Sequence, residues 1–398
     1  MKRTGDFTRE TELLVLCSRK TIDHAMKKRI VDLVAEPVDW ERILLMSVKH
    51  KTYPLVQAAL KTVCPDSVPV DVMTRLGSWC VRNGARNMVL CKSLSMVLDL
   101  LANNDIQALP FKGPVLAESV YGDTSLRVYS DLDLLVSKKD AFKARNILVA
   151  TGFIPDLDLD ETQVVTYLNK ENFFRLTGPD GMTVIDLHWE MSGRYSLIPM
   201  YLEDLEKHIV VQDILGRNVK ILNPPALLVY LSLHNASHGW DSLEAAACMA
   251  EVICSSNLYD GETMMTMARR YHAVRALFVA LQVSKKLYHV RLPAEICKAM
   301  EKEKHVVRLA DGIIAKLLDF TDASQKETWS WRFSMTHLIL RDSLADAMLY
   351  ALRLIFLPTV KEWMMFSLSP SFTPLYYGLR PFRLVSEALR DVVRRIFR

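Results

Sequence analysis

The chain has 398 residues, of which 50% are hydrophobic and 24% are charged, an ordinary globular composition with room for two or three packed units. The formal net charge is only +4, because 50 basic residues nearly cancel 46 acidic ones. This balance argues against a protein built mainly to coat nucleic acid, although it allows a local basic patch.

Seven cysteines are spread along the chain without any CxxC spacing, and their number is odd. This pattern indicates buried thiols in a reducing compartment and disfavours a zinc site. The N-terminus lacks a long apolar stretch, and no window reaches the roughly 20 uninterrupted apolar residues of a membrane span. We therefore expect a cytoplasmic protein.

The first quarter of the chain repeats its apolar residues with the 3.6-residue period of a helix. Residues 10–108 are predicted to be almost wholly helical. Within them, residues 70–104 are long enough for two helices, and Gly84 is the candidate break between them. The simplest role of these helices is packing.

The pattern changes near residue 106, where short apolar stretches alternate with turn residues, as is typical of strands. We predict four strands, at residues 106–111, 129–136, 172–176 and 183–189. The turn Lys112-Gly113-Pro114 ends the first strand, and a hairpin turn joins the last two. A helix over residues 138–151 follows the second strand.

From residue 224 onward the chain is again predicted to be helical. Helices are expected at residues 227–238 and 243–254, with two or three more in 260–320 and a helical stretch at 329–358. Residues 369–381 are rich in Pro, Ser and Tyr and are predicted to be a connector. The last stretch, 380–398, is basic and amphipathic.

Three aspartates lie in the predicted strands. Asp131 and Asp133 are two residues apart, so a strand directs both side chains to one face. Such a pair can hold Mg²⁺ or Mn²⁺ for phosphoryl or nucleotidyl transfer, although alternating acids also occur on solvated strands. Asp186, in the fourth strand, can complete a metal site, accept a proton from an attacking hydroxyl, or form a structural salt bridge.

The order of several motifs resembles the uncharacterised nucleotidyltransferase family. The segments that carry the resemblance are LPFKGPVLA at residues 109–117, YGD at 121–123, LR at 126–127, SDLDLLV at 130–136, IDLHW at 185–189 and LHNASHGW at 233–240. They are similar to the family's "LKG…L…Y…R…DIDLLV" signature, its "DLHW" strand and its "LHxxxHxW" helix. The resemblance covers about residues 10–300, and more weakly the tail.

The resemblance implies the fold of DNA polymerase β-like nucleotidyltransferases. We therefore expect an α+β protein, with a small mixed β-sheet core embedded in mostly helical N- and C-terminal regions. We divide the chain into an N-terminal helical region (1–104), a nucleotidyltransferase-like α/β core (105–222), a helical domain (223–325) and a helical C-terminal extension with a basic amphipathic end (326–398).

The resemblance also implies site roles. Asp131, Asp133 and Asp186 would be the catalytic, metal-binding carboxylates, and Gly113 would let the backbone approach a phosphate. The usual turn has paired small residues, whereas Pro114 here removes an N–H donor. Lys112 can supply charge in compensation or be a solvated turn lysine.

Five further residues are candidates for the site. Arg127 can clamp a phosphate or pair with a nearby aspartate, and Ser130 joins it in the predicted nucleotide site. His234 and His238 are spaced as a metal pair, but a structural pair or a substrate contact fits as well. His188 is interpreted as a core histidine by default. The stretch Ala245-Ala246-Ala247-Cys248 departs from the family's acidic pattern.

These observations predict an enzyme that binds a nucleoside triphosphate such as ATP with Mg²⁺ or Mn²⁺ and transfers the nucleoside monophosphate. The acceptor is open: a small molecule, a peptide, a protein or RNA. The alternative is a catalytically inactive protein of the same fold that binds a nucleotide or partner. A third hypothesis, a membrane-associated accessory protein, depends on weak membrane-surface contact through the C-terminal basic helix.

Overall fold

The structure is a computed structural model, and it describes residues 8–159, 161–193, 196–255, 260–319, 335–359, 361–362 and 374–396. The fold is α+β, as expected: a small mixed sheet embedded in a mostly helical chain. No helix among these residues is long and apolar enough to cross a membrane.

Among the described residues five α-helices precede the sheet, in agreement with the helical prediction for residues 10–108. They are α1 (Arg9–Cys17), α2 (His24–Val34), α3 (Trp40–Lys49), α4 (Tyr53–Val63) and α5 (Val70–Ala102). Helix α5 is continuous over 33 residues, so the predicted break at Gly84 is wrong. Asn83 and Asn87 donate hydrogen bonds to carbonyls of Thr124, Ser125 and Arg127, and this packing outweighs the roughly 1 kcal/mol helix penalty of glycine.

The main sheet has five strands in the order β1-β2-β5-β4-β3. They are β1 (Ala108–Pro110), β2 (Leu132–Val136), β3 (Ile154–Pro155), β4 (Phe173–Thr177) and β5 (Val184–His188). Strands β2 and β5 are parallel and the other pairs are antiparallel, which makes the sheet mixed. The four predicted strands are confirmed within a few residues, although Asp131 lies just before β2 rather than within it.

Short elements connect and flank the strands. Helix α6 (Gly113–Leu116) and a π-helical turn (Ala117–Tyr121) follow β1, α7 (Ala141–Ala150) follows β2, and α8 (Glu161–Lys170) precedes β4. After β5 come α9 (Leu202–Leu205) and a separate hairpin of β6 (Ile209–Ile214) and β7 (Arg217–Leu222). This hairpin was not predicted. The available sequence cue was Gly216, and in the structure Leu215 and Gly216 both have positive φ, as a type I′ turn requires.

The C-terminal helices are α10 (Pro224–Ser237), α11 (Leu243–Ser255), α12 (Gly261–Arg270), α13 (Val274–Tyr288), α14 (Ala294–Glu301), α15 (Lys304–Leu317), α16 (Met335–Ile339), α17 (Leu344–Phe356) and α18 (Leu375–Ile396). Four helices, not two or three, occupy 260–320. The predicted connector is wrong over 375–381, where α18 has begun. Residues 369–373 of that connector, and 329–334 of the predicted helical stretch, lie outside the described residues.

Two hydrophobic cores hold these elements together. One joins α1–α4 and the start of α5 to α10–α15, and buried side chains such as Leu14, Leu44 and Phe278 fill it. The other joins the rest of α5 to the main sheet, α7 and the β6–β7 hairpin. The carboxylates of β2 and β5 lie where the sheet faces helices α10 and α11.

The cysteines are free thiols. Cys17, Cys64 and Cys248 are buried as expected, whereas Cys254 is exposed, which corrects the expectation for that residue. Burial raises the pKa of the Cys248 thiol to about 12, so this side chain is inert at neutral pH.

Candidate active site

Two of the three predicted carboxylates face each other across neighbouring strands. Asp133 of β2 is in register with Asp186 of β5, and both residues are buried, with exposures of 4% and 6%. In a parallel pair, residues in register direct their side chains to the same face of the sheet. The flanking Leu132, Leu134 and Leu187 point the other way into the core, so the alternation fixes the carboxylates at the site.

Asp133 contacts two basic side chains. The Lys112 ammonium lies 2.9 Å from its Oδ1, and His188 Nε2 lies 3.3 Å from the same oxygen. Burial alone would raise the pKa of Asp133, but Lys112 and His188 outweigh it and hold the pKa well below its usual range. Asp133 is therefore a permanent carboxylate.

Asp186 is bound by a residue that the sequence analysis missed. Arg175 of β4 lies opposite Asp186 in the antiparallel register, and it donates from Nε and Nη2 to the two carboxylate oxygens at 2.7 and 2.6 Å. Its Nη2 is also 4.0 Å from Asp131 Oδ2. The available signal was a lone arginine between apolar residues in a strand, FFRLT.

Asp131 lies at the more open edge of the cluster, with a side chain that is 32% exposed. Burial, and then the negative charge of Asp133, raise the pKa of Asp131 above its usual value. Three carboxylates crowded in this way repel each other, and a cation between them would relieve the repulsion.

The donor set fits a divalent cation. Asp133, Asp186 and His188 each offer one ligand atom, and these atoms all lie within 4.8 Å of one another. Asp131 flanks this group. Carboxylate oxygens suit Mg²⁺, and an added imidazole suits Mn²⁺ as well.

The position of His188 corrects its default interpretation as a core histidine. It is two residues beyond Asp186, so strand alternation returns it to the same face as the carboxylates. Its ring stacks on Phe173 and meets the edge of Phe111. Its Nε2 lies 3.3 Å from Asp133 Oδ1, so the ring belongs to the carboxylate cluster.

Gly113 allows the turn after β1 to touch the segment that carries Asp131. Its φ is +57°, and a Cβ at this position would lie 3.0 Å from the backbone oxygen of Asp131. A residue with a side chain would therefore be strained and would also displace Asp131. The glycine is required by this close approach.

Arg127 has a different partner from those considered in the sequence. Its Nε donates to Glu244 of α11 at 2.6 Å, and both side chains are nearly buried. Its Nη1 is buried without a hydrogen-bond partner among the described atoms, and the residue lines the cleft. Ser130 is exposed at the same rim. Phosphate contact by either residue stays a prediction.

His234 and His238 lie at the end of α10, with ring centroids 4.4 Å apart. His234 stacks on Tyr230, whose phenol interacts with Lys112. Burial and then the nearby Lys112 hold the pKa of His234 well below its usual value, so the ring is neutral at physiological pH. Among the described residues, neither histidine belongs to the group that can hold a metal.

A cleft of about 460 Å³ joins these parts. The sheet side supplies the carboxylates, Lys112 and Arg175, and the helical side supplies α10 and the start of α11. Acidic and basic side chains therefore line one opening between the sheet and helices α10 and α11, with room for a small charged substrate.

The sequence matches a family described as uncharacterised nucleotidyltransferase over residues 36–289. No curated protein matches the sequence significantly. A crystal structure of an antigenic nucleotidyltransferase-like protein from Paracoccidioides brasiliensis is 13% identical, with 54% of this chain and 92% of that chain covered and a TM-score of 0.29, too low to establish a common fold. The family match spans more than half of the chain, which therefore belongs to the uncharacterised nucleotidyltransferase family.

Proposed function

We propose that the chain is a metal-dependent enzyme that transfers a nucleoside monophosphate from a nucleoside triphosphate to an acceptor hydroxyl. The observation that carries the proposal is the convergence of Asp133, Asp186 and His188, flanked by Asp131, in one cleft. Carboxylates so close together are costly unless cations accompany them. In a nucleotide-binding site such a cation would bind the phosphate groups.

In the proposed reaction the acceptor oxygen attacks the α-phosphorus, the bond from that phosphorus to the β-phosphate bridging oxygen breaks, and pyrophosphate leaves. Asp131, Asp133 and Asp186 would hold Mg²⁺ or Mn²⁺, which would neutralise charge on the phosphate oxygens. Asp186 would complete this site or accept the proton of the acceptor hydroxyl. Lys112 and Arg175, which pair with Asp133 and Asp186, would bind phosphate oxygens once these ion pairs open.

The test is transfer of α-labelled phosphate from each of the four ribonucleotides, with Mg²⁺ or Mn²⁺, into protein or cell-extract components. We expect metal-dependent labelling that disappears in the Asp131→Asn/Asp133→Asn double variant. Asp66 is an exposed acid that lies far from Asp131 and Asp133 in sequence. The variant Asp66→Asn is therefore the matched control and should label like the unmodified protein. Labelling that persists in the double variant would refute the proposal.

A second candidate function is a catalytically inactive nucleotide- or partner-binding protein. It is favoured by Pro114, which removes one N–H from the phosphate turn, and by the ion pairs that already occupy Asp133 and Asp186. Nucleotide binding without label transfer from any nucleotide would favour this candidate.

Membrane-surface contact through α18 also stays a prediction. Phe382, Val385 and Leu389 are exposed along one side of this helix. Arg380 and Arg383, however, are directed inward to Glu362, so they are not available to anionic lipid. The cytoplasmic location likewise stays a prediction.

A further inference from the structure

A second groove, of about 380 Å³, opens beside the cleft along one face of α5. Its walls are Tyr53, Trp79, Arg82, Asn83, Arg86 and Val128, and we call it the α5 groove. Nothing in the proposed transfer of a nucleoside monophosphate accounts for this groove.

The α5 groove presents two aromatic rings. Tyr53 and Trp79 are both half-buried, and their rings meet edge to face with centroids 6.1 Å apart and planes at 73°. The Arg75 guanidinium lies over the Trp79 ring at 5.9 Å. Rings held rigidly at a surface are stacking platforms for planar groups such as nucleobases.

The same groove presents two unneutralised cations. Arg82 and Arg86 are one helical turn apart on α5 and both are exposed. Within the described part of the chain, no carboxylate forms an ion pair with either of them, whereas Arg75 pairs with Glu41. Two guanidinium groups that form no ion pair with a described carboxylate, beside aromatic rings, match a chain of phosphates with attached bases.

The groove leads to the carboxylates. Val128 lines both the α5 groove and the cleft. Arg86 donates to the backbone oxygen of Ser130 at 3.3 Å, one residue before Asp131, and Asn83 donates to the carbonyls of Ser125 and Arg127 at 2.9 Å. A nucleic-acid strand bound in the groove would therefore lie beside the segment that leads to Asp131.

We propose that the α5 groove binds single-stranded nucleic acid and presents its terminal hydroxyl to the cleft as the acceptor. The second part of the inference, the presentation of the terminal hydroxyl, rests on the proposed function, because only a transferase needs an acceptor hydroxyl. A local groove of this kind is compatible with the small net charge of the chain. An acidic peptide would use the arginines but would gain little from the rings.

The test measures binding of labelled single-stranded RNA and DNA of about 12 nucleotides by fluorescence anisotropy at several salt concentrations. The protein carries Asp131→Asn and Asp133→Asn, so that no turnover occurs. We expect Arg82→Gln/Arg86→Gln to weaken binding at least about tenfold and to reduce the salt slope by roughly 1. Trp79→Ala should weaken binding by about 5- to 100-fold, as loss of one stacked base does.

The matched control is Arg291→Gln/Arg308→Gln, which removes the same charge from exposed positions elsewhere. Its affinity should stay unchanged. Equal weakening in the control and the Arg82/Arg86 variant, or no binding at low salt, would overturn the proposal. The proposal would also be overturned if an oligoglutamate peptide bound as tightly through Arg82 and Arg86 and its binding were insensitive to Trp79→Ala. That outcome would indicate an acidic protein partner.

The comparison of RNA with DNA identifies which nucleic acid is preferred, and either preference supports the proposal. Label transfer with the intact protein then separates the two proposals. Groove-dependent binding without transfer would uphold nucleic-acid binding and count against the proposed function. Transfer to another acceptor without nucleic-acid binding would support the proposed function and count against nucleic-acid binding.

Discussion

Arg175 and Asp186 form a two-pronged ion pair across β4 and β5, in which the guanidinium occupies both oxygens of a proposed metal ligand. Lys112 forms an ion pair with one oxygen of Asp133. In the absence of a metal, these two side chains supply the positive charge that the carboxylates need. Binding of a divalent cation must therefore compete with them.

Replacing Arg175 should accordingly tighten metal binding. We expect Arg175→Gln to raise the affinity for Mn²⁺ without nucleotide about two- to fivefold, a modest gain because the arginine is 43% exposed and its pair is screened by solvent. The same variant should weaken triphosphate binding. Titration of Mn²⁺ followed by electron paramagnetic resonance measures the first effect.

Arg217→Gln is the control for that titration, because Arg217 forms a comparable exposed pair with Asp99 away from the cleft. It should leave Mn²⁺ affinity unchanged. A lower affinity in Arg175→Gln would mean that Arg175 orients Asp186 for the metal rather than competing with it.

Gly113→Ala should be more damaging than an ordinary replacement of a glycine at positive φ. The backbone conformation alone costs about 1–2 kcal/mol, and the new Cβ would press on the Asp131 carbonyl. Displacement of Asp131 should lower the transfer rate by up to about 100-fold. Gly181→Ala, at φ +66° with open space around it, carries the strain without the contact. Equal stability and activity in the two variants would show that the contact is unimportant.

The buried Arg127–Glu244 pair should matter for stability. Glu244→Ala leaves a buried guanidinium without its partner and should lower the free energy of unfolding by about 3–5 kcal/mol. Glu41→Ala, which breaks the exposed pair with Arg75, should cost no more than about 1 kcal/mol. Urea denaturation of both variants measures the difference, and equal costs would contradict the assignment of Arg127 and Glu244 as a buried pair.

His50 should make stability depend on pH. Burial, and then the charge of Lys49, lower the pKa of His50 from 6.5 to about 4, and its Nδ1 accepts the N–H of Leu243 at the start of α11. The folded state therefore binds fewer protons than the unfolded state between these values. Stability should fall as the pH drops from 6.5 to about 4, by at most about 3 kcal/mol, and then level off.

This pH dependence is checked by urea unfolding across the window. His50→Asn keeps an acceptor for Leu243 but cannot be protonated, so its stability should change less with pH than that of the unmodified protein. His305→Asn, at an exposed position, is the control and should retain the full dependence. Identical pH profiles for His50→Asn and the unmodified protein would refute the role of His50.

Local pattern was enough to find four of the five strands of the main sheet and the acids in or beside them. Alternation of apolar and acidic residues identified the strand after Asp131 and the strand of Asp186, because the period of two is set by the backbone itself. The same rule places His188 on the face of Asp186, although the default interpretation set it in the core. The β6–β7 hairpin had a turn signal at Gly216 that the sequence analysis did not use.

Long-range pairing was not available from local pattern. Arg127 forms an ion pair with Glu244, 117 residues away, rather than with a nearby aspartate. Helix α5 stays whole at Gly84 because the 124–127 segment packs on it. In both cases a contact between distant segments outweighs what the neighbouring residues favour.

The sequence by itself determined that Asp133 alternates with apolar residues in one strand and that Asp186 does so in another, since strand geometry depends only on neighbouring residues. Only the tertiary structure decided that β2 and β5 are parallel neighbours in the register that sets Asp133 against Asp186. It also decided that Lys112 and Arg175 neutralise them and that the α5 groove opens beside them. These relationships depend on how separate segments pack, because register and ion pairing are fixed by burial of the whole sheet and not by any one segment.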